Sequence, residues 1–164
     1  MTLIPHLYGK FFQLGYVTRN LDASLKVFSE KYGPTEFRVM DMPARPDGTE
    51  SPTKRIALAY IDDVQIELIQ PSTTVPTIYD ELRPETDGPI AFHHICFEVD
   101  DMEGTVESLR ALGYAIPMVG EVPGHIGYCY ADSRADLGHY CEFVRLHEGG
   151  RQMMASVPRN SSRR

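Results

Sequence analysis

A chain of 164 residues, 42% apolar and 24% charged, is long enough for one core or for two small halves fused into one. Its formal net charge of −7 excludes nucleic acid as the main partner, because phosphate binding requires a basic field. No apolar run approaches the roughly 20 residues of a membrane span, and the start "MTLIPHLYGKFF" lacks the basic and apolar segments of a secretory signal.

The first expected strand is Lys10–Val17. Asn20 then makes a good N-cap, Asp22 sits in the first turn, and Gly33 follows the end of a helix. Leu21, Leu25, Phe28 and Tyr32 recur at helical spacing along it. Three strand-like runs follow: Thr35–Met42, Lys54–Ile61 and Val64–Gln70. The Pro/Gly/Ser stretch "DMPARPDGTESPT" separates the first two, and "IDDV" reads as a tight hairpin turn before the third. "TTVPTIYDELRPETDGP" reads as a linker with one short helix.

The same order then returns. A strand over Ala91–Val99 leads into a helix capped by Asp100 or Asp101, opened by Glu103 and closed by Gly113. Met102, Val106, Leu109 and Leu112 form its apolar stripe, and the interior Gly104 weakens it. Strands are expected over Ala115–Val122, Ile126–Ala131 and His139–Leu146. The last stretch, "HEGGRQMMASVPRNSSRR", loses the pattern, and its Arg/Ser-rich end is expected to be disordered.

The order is therefore β-α-β-β-β, twice. Leu21 and Met102, Leu25 and Val106, and Phe28 and Leu109 each stand 81 positions apart. A long period present in only two copies signals duplicated halves, not a solenoid. The expected fold class is α+β, with two tandem βαβββ modules forming a half-open barrel around a central cavity, the usual place for a ligand. The expected organisation is one domain over residues 1–164, with modules at 8–75 and 90–147 and a tail at 148–164.

The repeat also pairs polar residues on apolar strands. Gln13 matches His94, and Glu67 in "VQIELIQP" matches Glu142 in "GHYCEFVRL". A carboxylate in an apolar strand is costly unless paired or bound to a cation, and two that converge repel. A divalent metal resolves both problems. One imidazole, two carboxylates and an amide oxygen suit Zn, Ni, Mn, Co or Fe without choosing among them. Neighbouring His93 points the other way along the strand and is expected on the outer face or under the helix. The three cysteines, Cys96, Cys129 and Cys141, are odd in number and form no Cys-x-x-Cys, so a cytoplasmic chain without disulfides is expected.

"LGYVTRNLDASLKVFSEKYG", "VQIELIQP", "HHICFEVDDM" and "GHYCEFVRL" resemble, in order, segments of the vicinal oxygen chelate superfamily. That superfamily includes glyoxalase I, methylmalonyl-CoA epimerase, extradiol dioxygenases, and fosfomycin- and bleomycin-resistance proteins. The resemblance implies a homodimer and a metal held by Gln13, Glu67, His94 and Glu142. It implies a lyase or isomerase of a small-molecule substrate, with Glu142 as base and ligand together and Glu67 as the second proton carrier. The alternative is a metal-free binding or resistance protein on the same fold. Glyoxalase I holds glutathione-contacting residues at three positions that here are Val17, Pro71 and Ile90, which argues against a glutathione hemithioacetal. Extradiol chemistry requires a second histidine where this chain has Gln13. Aligning the epimerase's second base puts Arg55 or its neighbours there, with Glu50 nearby in the loop. Tyr140, Tyr130 and Arg55 are the candidate substrate contacts, with Arg134 and His139 near the expected mouth.

Overall fold

The structure, a computed structural model, describes residues 11–161. Residues 8–10 of the first expected module and the last three residues of the Arg/Ser-rich end lie outside them. The described chain forms two compact units, one of residues 14–93 with 157–161 and one of residues 11–13 with 94–156.

In the first unit, β1 (Phe11–Thr18, its last five residues) leads to α1 (Leu21–Lys31), then to β2 (Arg38–Asp41), β3 (Thr53–Ile61) and β4 (Val64–Pro71). Asn20 is extended, and its side chain accepts from the Ala23 amide, which starts α1 where the cap signal placed it. Leu21 and Phe28 of α1 pack on Ala57, Ile66 and Leu68. The strand order is β2-β3-β4-β1. β2 is shorter than Thr35–Met42 because the Thr35 and Glu36 amides donate to the Asn160 side chain and not to a strand. The linker between the repeats carries the expected short helix as one 3-10 turn, Asp80–Leu82.

The second unit repeats this order. β5 (Ile90–Glu98, from His94 onward) is followed by α2 (Met102–Ala111), β6 (Met118–Val122) and β7 (Ile126–Ala131). The short α3 (Arg134–Leu137), β8 (Tyr140–Leu146) and α4 (Glu148–Ala155) complete it. The strand order β5-β8-β7-β6 reproduces β1-β4-β3-β2 of the first unit. The fold is α+β, with a βαβββ repeat. Val106 and Leu109 of α2 cover Phe97, Cys129, Ala131, Cys141 and Phe143. Asp101 is the cap of α2, accepting from the Gly104 amide at 3.0 Å. The interior glycine that weakens this helix has a reason there, since a Cβ on Gly104 would lie 2.4 Å from an Asp101 carboxylate oxygen. β6 starts late because Pro117 has no amide to give to a ladder.

The tail differs from expectation. It holds α4 and a two-residue strand, β9 (Arg159–Asn160), parallel to β3. Gly149 and Gly150 hid the helix, because glycine lowers helix propensity. Tertiary contact restores it. The Gly149 amide donates to the Gly124 carbonyl, and a Cβ on Gly150 would fall 2.2 Å from the His125 carbonyl oxygen. Gly150→Ala is therefore expected to destabilise the fold by about 1–3 kcal/mol, although alanine is the better helix former. Thermal denaturation checks the sign; an unchanged or higher midpoint would mean that this contact yields freely.

All three cysteines are free and buried. Burial pushes the Cys129 thiol up to about 12 and also raises Cys141. An aromatic disulfide reagent at pH 8 is expected to leave the native thiols unreacted over minutes and to react with all three after denaturation. Rapid reaction of even one native thiol would contradict that burial. No helix among the described residues is long and apolar enough to cross a membrane.

Candidate metal centre

Strand alternation builds the site. In the second unit Phe97, Cys129, Ala131, Cys141 and Phe143 face α2. Their neighbours therefore point away from α2: His94 and Cys96 on β5, Tyr130 on β7, Tyr140 and Glu142 on β8. Pairing fixes their spacing. β5 and β8 are parallel, with His94 opposite Tyr140 and Cys96 opposite Glu142. β7 and β8 are antiparallel, with Tyr130 opposite Glu142. The result is His94 Nε2 at 3.1 Å from Glu142 Oε2, with the imidazole wholly buried.

In the first unit Ile66 and Leu68 pack under α1, so Glu67 between them points away from it. Its strand partner is Leu58, and it is buried. Leu14 and Tyr16 also pack on the α1 cluster, and Gln13 is buried.

The His94–Glu142 pair fits a first-row divalent ion. At bond lengths of about 2.0–2.2 Å, ligands at right angles stand roughly 3 Å apart. The His94–Glu142 separation matches that spacing. Two carboxylates and an imidazole form a borderline N/O set that suits several metals.

Arg55 shares a face of β3 with Ala57, which packs under α1, whereas Leu58 is the partner of Glu67. Its guanidinium bonds to Asp22 at 3.0 Å and Asp41 at 3.1 Å, and these carboxylates raise its pKa. Nearby Glu50 accepts from Ser72 and Thr74, hydrogen bonds that hold its carboxyl below the usual range.

Tyr140 and Tyr130 lie on the Glu142 face, both buried. The Arg134 guanidinium stacks 4.6 Å above the Tyr140 ring centre and is held by Asp132 at 2.7 Å. That pairing lowers the Asp132 pKa. His139 Nδ1 lies 2.8 Å from the Tyr140 carbonyl oxygen. His93 is fully buried, with Nε2 at 3.3 Å from the Ile78 carbonyl and its ring 4.8 Å from that of Tyr79. Its cover is the linker, not a helix of the repeat. Sequence reasoning missed Cys96 as a companion of His94, although the same alternation two residues on would have found it.

A family model described as the Glyoxalase/Bleomycin resistance protein/Dioxygenase superfamily matches residues 12–131. Among solved structures, methylmalonyl-CoA epimerase from Mycobacterium tuberculosis is 16% identical. That match covers 94% of this chain and 97% of that one, with a TM-score of 0.62. A hypothetical protein from Bacillus halodurans is 18% identical over 85% and 95% of the two chains, with a TM-score of 0.61. A Streptomyces coelicolor methylmalonyl-CoA epimerase variant in complex with 2-nitronate-propionyl-CoA is 16% identical over 84% and 96%, with a TM-score of 0.59. At these identities the likeness is one of fold. No curated protein matches the chain in sequence.

Proposed function

The chain belongs to the Glyoxalase/Bleomycin resistance protein/Dioxygenase superfamily, and within it we propose a metal-dependent lyase or isomerase that moves a proton next to a carbonyl of a small-molecule substrate. The observation that carries this reading is the buried His94–Glu142 pair at 3.1 Å in one unit, with the equivalent strand carboxylate, Glu67, buried in the other. A buried carboxylate is costly, and a bound cation turns that cost into binding.

Gln13, Glu67, His94 and Glu142 would hold the ion. Once bound, it supplies positive charge that stabilises negative charge developing on a substrate oxygen. The rest falls to the chain. A carboxylate oxygen of Glu142 accepts the proton from the carbon beside the carbonyl. Glu67 returns a proton to the carbon skeleton, which suits isomerisation or epimerisation. Buried surroundings keep water from quenching the carbanion. Val17, Pro71 and Ile90 argue for a substrate other than a glutathione adduct, and a CoA thioester is a reasonable first choice.

The test begins with protein purified without chelator and assayed for metal by elemental analysis. The expected result is one divalent ion per chain. The loaded protein is then incubated with methylmalonyl-CoA, and separately with a methylglyoxal–glutathione adduct, in deuterated water. Deuterium at the carbon next to the carbonyl is the expected signature. Protein that carries no stoichiometric metal and gains no stability from Zn2+, Ni2+, Mn2+ or Co2+ would remove the basis of this reading and favour metal-free ligand binding.

A further inference from the structure

Tyr130 is buried to 2% exposure, beside two of the candidate ligands. The ring meets the His94 imidazole at right angles, with centroids 5.2 Å apart and an interplanar angle of 83°. Through the β7–β8 ladder the same residue is the strand partner of Glu142. Tyr130 thus touches one candidate ligand with its ring and is paired to the other through its backbone. Those two ligands meet at 3.1 Å.

We infer that Tyr130 is a positioning residue that presets the His94 imidazole and the Glu142 carboxylate for the ion; the inference rests on the metal reading proposed above. Rotation of an imidazole about its last side-chain bond is broad and weakly restrained. An edge-to-face neighbour narrows it. The neighbour is itself fixed, since Cys129 and Ala131 on either side of Tyr130 are locked into the α2 core. Outer contacts that orient a ligating histidine typically carry a 10–100-fold effect on metal affinity. The tyrosine hydroxyl has no part in this account; the ring does.

Co2+ titration of metal-free protein, read by the visible absorption bands of the bound ion, tests the inference without a substrate. Tyr130→Phe keeps the ring and is expected to bind within about threefold of the parent chain. Tyr130→Leu is expected to bind about tenfold or more weakly, with altered bands. Tyr130→Met, nearer in volume, serves the same purpose if the leucine variant does not fold. Phe28→Leu in the α1 cluster controls for general loss of packing and is expected to lower the melting temperature with affinity and bands unchanged. The inference is overturned if the ring-less variants bind like the parent, if Tyr130→Phe is as weak as they are, or if Phe28→Leu loses as much affinity. A parent chain that takes up no Co2+ overturns the functional reading and this inference together, whereas a parent that binds and ring-less variants that bind equally well overturn the inference alone.

Discussion

His94→Ala is expected to weaken Zn2+ or Ni2+ binding at least ~100-fold, while His93→Ala leaves it within a few-fold of the parent. Loss of an outer contact alone costs 10–100-fold, so loss of a ligand should reach or pass the top of that range. The contrast between adjacent histidines is the informative part. Both are fully buried, and both truncations open space in the interior, so both should lower stability. Their partners differ. His93 is tied to the Ile78 carbonyl and the Tyr79 ring in the linker. His94 meets Glu142 and Tyr130 on the opposite face of the strand. Calorimetric titration measures the affinities, and thermal melts of the metal-free variants measure the stabilities. Equal loss of affinity in the two variants would mean that the effect is one of strand integrity, and that His94 is no ligand.

Most of the fold was legible because its signals are local. Asn20 and Asp101 cap the helices from positions where their residue type points, and Leu21, Phe28, Val106 and Leu109 of the apolar stripes face the sheets, while Tyr32 and Leu112 just past the helix ends are exposed. Duplication added a second check, since each half supported the other. What was not legible depends on contacts far apart in sequence. Asn160 takes the amides of Thr35 and Glu36, more than a hundred residues away, and so shortens β2. The Gly149–Gly150 pair is a poor helix signal until the His125 carbonyl is placed against it. At the site, Glu67 and Glu142 stood out because each lies between apolar neighbours that mark the core side, and His94 because the repeat sets it 81 positions from Gln13. For Arg55 the sequence named only the residue or its neighbours, and on a strand one residue is the whole difference between faces. Its carboxylate partner Asp22 stands on α1, invisible to a reading of β3 alone.

Glu67→Leu is expected to have opposite effects with and without metal. In the metal-free chain Glu67 is buried between Ile66 and Leu68, opposite Leu58. Burial penalises its charge. A leucine of similar length removes the desolvation and adds apolar contact. Replacement of buried charges by well-packed apolar groups is often stabilising, and a gain of about 1–2 kcal/mol is expected here. For a chain of this size that is a rise of roughly 2–8 °C in melting temperature. Saturating metal reverses the order. At a free concentration of about a hundred times Kd, an ion that binds only the folded state adds about 2.7 kcal/mol to the parent. The variant, short of one carboxylate ligand, gains little. Glu67→Gln separates charge from shape, since it keeps the length and an oxygen donor without the charge. Melting curves of the three proteins with chelator and with excess Zn2+ read both signs at once. A leucine variant that is less stable than the parent in chelator would mean that Glu67 is held for the fold, and one that still gains the full increment from Zn2+ would remove Glu67 from the ligand set.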